Sequence, residues 1–225
     1  MMRAWENRPD TVVVDEPFYA SYLARTGLEH PGRDLVMASQ PRDWRTVVQS
    51  LLDEPPGSPA VFYQKHMAHH VFDDMHGPWL DELTHIFLIR EPASMIVSLD
   101  KVTPDPRIED TGLPQQLRIF ERTRERLGAA PPVVCASDVL GSPERLLGKL
   151  CALLGLEFRS EMLAWPAGPR TSDGVWAPHW YSRVWESTGF EAPVVKRPTV
   201  PARLEGLLNS CRTIYEKLYA CRILL

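Results

Sequence analysis

Residues 85–98 read His85-Ile86-Phe87-Leu88-Ile89-Arg90-Glu91-Pro92-Ala93-Ser94-Met95-Ile96-Val97-Ser98. The run from His85 to Ile89 is β-branched and aromatic and does not alternate with polar residues. That is the pattern of a strand buried on both faces. Pro92 suits the first position of a helix, where its missing N–H costs nothing. The spacing predicts a helix from Pro92 to Lys101, with Arg90 left at the corner between strand and helix. A strand, a charged corner and a helix in one short stretch are the building unit of an α/β fold.

Working outward, the same unit recurs. Thr11 to Val14, Ala60 to Tyr63 and Pro132 to Cys135 are further strand runs. Helical patterns lie between them: Phe18-Tyr19 through Thr26 with Gly27 as the stop, Asp43 to Leu52 capped by Asp43 and ended by Pro55-Pro56, Leu113 to Leu127 ending at Gly128, and Ser142 to Leu154 stopped by Gly155. Pro201 to Ile223 reads as a last amphipathic helix. The expected fold is therefore α/β, with helices around a central, mostly parallel sheet. Ligands in such sheets bind beyond the carboxyl ends of the strands. The residues that fall there are Asp15-Glu16-Pro17, Gln64-Lys65-His66, Arg90-Glu91-Pro92 and Ser137-Asp138.

The chain has 225 residues, and at about 150 residues per domain one domain is expected over 1–225, with 190–225 as a C-terminal helical extension. With 25 basic and 29 acidic side chains, the net charge of −4 lacks the basic excess of a nucleic-acid binder. From Val195 onward six Lys/Arg face two Glu, a weakly basic tail read as a solvated helix face. No run of about 18 apolar residues and no apolar signal core occur, so neither a membrane span nor secretion is expected. Cys135, Cys151, Cys211 and Cys221 show no metal spacing; reduced, packed thiols in a cytoplasmic chain are expected. The 21 prolines fall between periodic segments and mark boundaries.

Arg90 offers a planar fork suited to phosphate. Ser98 lies about two turns beyond Glu91, which returns its hydroxyl to the face near the helix entry. Arginine, helix N-terminus and hydroxyl together make an anion site. In the other reading, Arg90 pairs with a local carboxylate and Ser98 faces solvent. The pattern Arg90-x-Pro92-x5-Ser98 resembles the motif that holds the 3′-phosphate of PAPS (3′-phosphoadenosine 5′-phosphosulfate) in sulfotransferases. Tyr63-Gln64-Lys65-His66 is similar to the segment in which cytosolic sulfotransferases place a lysine and a catalytic histidine. Val14-Asp15-Glu16-Pro17 is similar to the strand end at which carbohydrate sulfotransferases place a glutamate base. Gly168-Pro169-Arg170 through Asp173-Gly174-Val175-Trp176 resembles the late loop that closes over adenine and 3′-phosphate. From Met1 to about Gly189 the chain resembles small bacterial sulfotransferase-like proteins, some of which carry an aminotransferase-like label.

The resemblance implies a P-loop NTPase-like three-layer fold and PAPS as co-substrate, with no metal. It also has a gap. The family opens with a strand and a loop that cradles the phosphosulfate, and here Met1 to Arg8 resembles the later part of the helix that follows them. No GxxxxGK[ST] loop is present elsewhere. The first strand is thus expected to be missing. Either the recorded start lies downstream of the true one, or the protein has lost its main cradle; the unpaired backbone edges that a lost central strand would leave favour the first.

Sulfuryl transfer needs a base for the acceptor proton and cations for the leaving side, as in phosphoryl transfer. His66 ranks first as base, because neutral imidazole is available near pH 7. Glu16 ranks second and needs a raised pKa or a water relay. Lys65 is assigned to the bridging oxygen or the sulfonate. His66 could equally be a packed or capping histidine. His66, His69 and His70 are spaced to share one helical face, yet no HExxH pattern supports a metal; His69 and His70 are read as lining an acceptor pocket or capping the helix. The Trp-, Pro- and Gly-rich stretch from Trp165 to Tyr181 can stack a base, with Trp176 and Arg170 assigned to the nucleotide, or it can be a surface loop pinned by tryptophans. Arg118, Arg122, Arg124 and Arg126 alternate with Glu121 and Glu125 and read as a solvated face.

The leading expectation is a PAPS-dependent sulfotransferase acting on a hydroxyl or amine of a small molecule. The alternative is a catalytically inactive nucleotide- or anion-binding module of the same fold. A nucleotide kinase would need the lysine-bearing phosphate loop. A pyridoxal-phosphate aminotransferase would need a lysine in a matching context, and none of the five lysines has one.

Overall fold

The computed structural model describes residues 1–55, 57–192 and 198–225. Pro56, Val195, Lys196 and Arg197, on which parts of the sequence reading fall, lie outside the described residues. In chain order the elements are α1 (Met2–Glu6), β1 (Thr11–Asp15), α2 (Tyr19–Thr26), α3 (Arg33–Ser39), α4 (Trp44–Leu52), β2 (Val61–Lys65), β3 (Phe87–Ile89), α5 (Pro92–Leu99), α6 (Leu113–Leu127), β4 (Val133–Cys135), α7 (Ala136–Gly141), α8 (Pro143–Leu153), α9 (Ala177–Trp180), α10 (Ser182–Glu186) and α11 (Glu205–Tyr219), with short 3₁₀ turns among them. The chain forms two compact units: Met1–Glu82 with Arg159–Phe190, and Leu83–Phe158 with Glu191–Leu225.

The α/β class and the parallel pairing hold. β1 pairs with β2 in the first unit and β3 with β4 in the second, both parallel. In the first unit the register is unbroken from Thr11↔Val61 to Asp15↔Lys65. Two strands that start together and have equal length end together, which is why an aspartate and a lysine become direct neighbours. α2 follows β1 almost at once and buries Tyr19, Ala20, Tyr22 and Leu23 against Val36 of α3 and Trp176. It stops at Gly27, whose φ of 68° lets its N–H close on Leu23 O at 3.0 Å. α4 starts at Asp43, whose carboxylate accepts from Arg45 N at 3.1 Å. Trp5 of α1 lies fully buried and stacked on Tyr63 of β2, with ring centres 5.4 Å apart.

The second unit is built around β4, whose Val133, Val134 and Cys135 are all buried. α8 turns Leu146, Leu147, Leu150 and Cys151 inward at helical spacing. Ala93 and Ile96 of α5, Leu113 of α6 and Leu208 and Cys211 of α11 share one apolar cluster. Beyond α11 the chain returns to the sheet: Ile223 N–H donates to Val133 O at 2.8 Å, beside a parallel bridge between Val133 and Arg222. The described part of the expected C-terminal extension thus packs into this unit's core. The four cysteines are unpaired, and three of them are buried.

One local expectation fails. His66, His69 and His70 do not share a helical face, because His66 leaves β2 in extended chain and only Ala68–His70 turns, as 3₁₀. So short a segment cannot nucleate an α-helix. α3 and α7 were not expected at all.

Candidate active site

The carboxyl ends of β1 and β2 carry Asp15, Glu16 and Lys65. The strand register sets Asp15 against Lys65. Glu16 then extends the ladder by one bond, its N–H donating to Lys65 O at 2.9 Å. Its φ of 41° lies in the left-handed region, which is uncommon for a residue with a side chain and costs about 1–3 kcal/mol. Lys65 Nζ donates to Glu16 Oε1 at 2.5 Å and to Tyr181 Oη at 2.7 Å. It stands 3.0 Å from Asp15 Oδ1. Tyr181 Oη donates to Asp15 Oδ2 at 2.6 Å. Backbone strain and a dense charge cluster therefore coincide at one strand end.

The cluster holds two carboxyl groups and one ammonium, largely shielded from water: the Asp15 side chain is 1% exposed and that of Lys65 27%. Burial pushes the Glu16 carboxyl above its usual range; Lys65 opposes this and Asp15 adds to it. For Lys65, burial works against the charged form, but Glu16, Asp15 and Tyr181 together outweigh it and raise the ammonium above its ordinary value. Burial likewise raises the Tyr181 phenol, so it acts as a neutral hydroxyl. Asp15 and Tyr181 were not among the site residues drawn from the sequence. The signal for Asp15 was present, since two adjacent parallel strands both end on a charged residue. Nothing in the sequence ties Tyr181 to these strands.

His66 follows Lys65 directly. Its Nε2 lies 3.2 Å from Gln64 Oε1, and its ring faces Phe18 at 5.4 Å. Gln64 is itself oriented by donating Nε2 to Leu51 O at 2.9 Å, which leaves its carbonyl oxygen for the imidazole. A neutral His66 in this arrangement carries its proton on Nε2 and its lone pair on Nδ1. The neighbouring histidines are structural in kind. His70 is buried between Tyr22, ring centres 4.5 Å apart, and Tyr19, 5.0 Å apart. His69 meets Tyr22 edge-on at 5.2 Å. Among the described residues no group of three or more His, Cys, Asp or Glu could hold a metal ion.

The late loop is fastened rather than open. Asp173 Oδ2 accepts from Arg3 at 2.9 Å, from Arg170 N at 2.8 Å and from Trp185 Nε1 at 2.9 Å. Burial works to raise this carboxyl, but those bonds together hold it below the usual carboxylate range. Glu6 of α1 pairs with Arg170 at 3.0 Å and accepts from Ser172 Oγ. The expectation of an Arg170 ready to meet phosphate is therefore met by an arginine already engaged. Trp176 is buried, edge-on to Tyr19 at 5.2 Å, and so close to Gly174 that a Cβ there would run into its ring. Of the two readings of this loop, the geometry of Trp176 is that of a pin in the core. Arg3, Glu6 and Asp173 were missed by the sequence reading.

Arg90 and Ser98 belong to the second unit. Arg90 follows β3, is exposed, and has no ion pair or side-chain hydrogen bond among the described residues. The carboxylate beside it is occupied: Glu91 caps α5, accepting from Ala93 N at 3.1 Å and Ser94 N at 2.9 Å. Ser98 lies near the far end of α5 and is exposed.

The family model of the sulfotransferase domain matches residues 1–222. The chain belongs to the sulfotransferase domain family. Two proteins of Arabidopsis thaliana resemble it over 215 residues: branched-chain-amino-acid aminotransferase-like protein 1 at 35% identity and its counterpart protein 2 at 31%. Each match covers 96% of this chain and 38% of the relative, so the chain spans well under half the length of the curated relatives it matches. Among solved structures, the sulfotransferase domain from the curacin biosynthetic pathway matches at 14% identity and a TM-score of 0.47, covering 91% of this chain and 78% of that one. The sulfotransferase domain from the Synechococcus PCC 7002 olefin synthase matches at 14% and 0.45, covering 84% and 72%.

Proposed function

We propose that this chain is a PAPS-dependent sulfotransferase that passes a sulfuryl group to the hydroxyl or amine of a small acceptor in the cytoplasm. The observation that carries the reading is the Lys65 ammonium held by Glu16 and Asp15 at paired strand ends. PAPS supplies a sulfuryl group on a good leaving phosphate. The acceptor oxygen or nitrogen attacks sulfur, the bond from sulfur to the 5′-phosphate oxygen breaks, and the electron pair leaves with that oxygen. Lys65 stabilises the charge gathering there. The acceptor proton goes to His66, with Glu16 as the second base.

The Arg90 fork, without an ion pair among the described residues, suits the 3′-phosphate, with Ser98 on the helix that follows. The fit of the late loop is poorer. Trp176 is spent in the core, and Arg170 must leave Glu6 before it can meet an anion. The test is direct. Adenosine 3′,5′-bisphosphate is expected to raise the melting temperature of the protein, and Arg90→Ala to lessen the rise; no rise in the unaltered protein removes the donor assignment. Labelled PAPS with a panel of small hydroxylated and amine acceptors then reads transfer. Binding without transfer to any of them marks the inactive binding module instead. His66→Ala and Glu16→Gln, assayed separately, assign the base.

A further inference from the structure

We propose that Tyr181 is a positioning residue for Lys65: its phenol, anchored by Asp15, sets where the ammonium stands at the ends of β1 and β2. The proposal rests on Lys65 being the cation that meets the transferred group. Tyr181 lies in the turn between α9 and α10, far along the chain from either strand. Its hydroxyl has a single proton to give, and Asp15 Oδ2 takes it at 2.6 Å. What remains for Lys65, 2.7 Å away, is a lone pair. The direction of the relay is thereby fixed.

An ammonium has three N–H groups and no acceptor. Here Glu16 takes one and Tyr181 another. Asp15 Oδ1, at 3.0 Å, is an ion-pair neighbour without hydrogen-bond alignment. Nζ also stands 5.2 Å from the centre of the Tyr181 ring, in cation–π range. Without the hydroxyl, one of the two aligned bonds is lost and Asp15 Oδ2 loses its donor. The titratable groups placed around Lys65 are Asp15, Glu16 and Tyr181, and its charge also bears on Tyr63 and His70. Tyr181 is held on its own side as well: its N–H donates to Ala177 O and its O accepts from Trp185 N, both at 2.8 Å. The late loop and the reactive lysine are thus joined through one hydroxyl.

The test reads Lys65 itself in the full chain, without any acceptor. Acetic anhydride acylates only a deprotonated amine, so the rate of Lys65 modification against pH, followed by mass spectrometry, reports its ionisation. Exposed Lys101 serves as the internal reference. Tyr181→Phe keeps the ring and removes the relay. Its Lys65 profile is expected to move to lower pH by about half a unit or more, which is roughly threefold faster labelling on the rising limb. Tyr19→Phe is the control. It deletes another phenol of the same unit, one that bonds His30 at 2.9 Å, and is expected to leave the Lys65 profile in place. Tyr181→Leu, read the same way, covers the case in which Tyr181→Phe does not fold. A Tyr181→Phe profile that superimposes on the unaltered protein, or an equal displacement in Tyr19→Phe, overturns the proposal. A displaced profile together with no sulfuryl transfer from PAPS in the unaltered protein would retire the transferase reading and leave the positioning role standing.

Discussion

Two cationic side chains stand at the ends of parallel strands in this molecule, and they are treated in opposite ways. Lys65, the last residue of β2, is half-buried and surrounded by Asp15, Glu16 and Tyr181. Arg90, after β3, is exposed, and its adjacent carboxylate is diverted to cap a helix. A cation that already has its counter-charges belongs to the folded state's own electrostatics. A cation without them is available for an anion from outside. The difference implies that the two residues fail differently on mutation: Lys65 through stability as well as chemistry, Arg90 through ligand binding alone.

The largest effect is therefore expected at Lys65. Lys65→Met strands two buried carboxyl groups without their cation, and breaking such a pair costs about 3 kcal/mol. Urea denaturation at neutral pH measures it. The pH dependence has a definite sign. In the variant Glu16 loses the ammonium that opposes the upward push of burial, so its folded-state carboxyl sits above its unfolded value, folding takes up a proton, and stability rises as pH falls towards the unfolded carboxylate range. A variant as stable as the unaltered protein, or one that weakens further in mild acid, would show that the cluster is not held by charge compensation.

Arg90→Ala sharpens the other side of the contrast. Its stability is expected to stay within about 0.5 kcal/mol of the unaltered protein, as for an exposed side chain without partners. Its affinity for adenosine 3′,5′-bisphosphate, by titration calorimetry, is expected to fall about 10- to 100-fold, the worth of hydrogen bonds to a charged group. A loss of stability with unchanged affinity would invert the assignment.

His70 supplies a third case, a titratable group buried with aromatic rings rather than counter-charges. Burial, with His69 and the Lys65 charge adding to it, holds its imidazole well below the ordinary histidine value. The unfolded chain therefore binds a proton below about pH 6.5 that the folded chain refuses, and stability falls with pH at up to about 1.4 kcal/mol per unit for this group. His70→Phe keeps an aromatic side chain between Tyr19 and Tyr22 and removes the titration. Melting temperatures from pH 7.5 to 5 should fall less steeply in the variant; parallel slopes would assign the acid sensitivity elsewhere.

The strands could be read from the sequence because uninterrupted β-branched runs have few other uses, and the helix stops because Gly27 and Gly128 supply the left-handed residue a helix end needs. Arg90 was legible as a strand-end cation for the same reason, since its position depends only on local chain direction. Tyr181 and Asp173 were not, because each acts on a partner more than a hundred residues away in sequence. Trp176 shows the limit in another form. A tryptophan in a glycine-rich loop can stack a base or fill a core, and only its packing on Tyr19 separates the two. His66 to His70 misled because periodicity was read across a segment too short to hold a helix.

Arg170 is the smallest test of the contrast, because it stands between the two cases: a basic residue of the late loop that is paired, but with one carboxylate near the surface. Its bond to Glu6, with the two side chains 19% and 15% exposed, gives it a single carboxylate partner, where Lys65 has two. If that pairing persists when nucleotide binds, Arg170→Gln should change the affinity for adenosine 3′,5′-bisphosphate by at most about fivefold, because pairs of this kind contribute about 1 kcal/mol or less. Calorimetry on Arg170→Gln and Arg90→Ala side by side measures the ratio. Equal losses would mean that Arg170 exchanges Glu6 for the ligand. Glu6→Gln, by freeing the guanidinium beforehand, should then tighten binding, whereas a persistent pair predicts no gain.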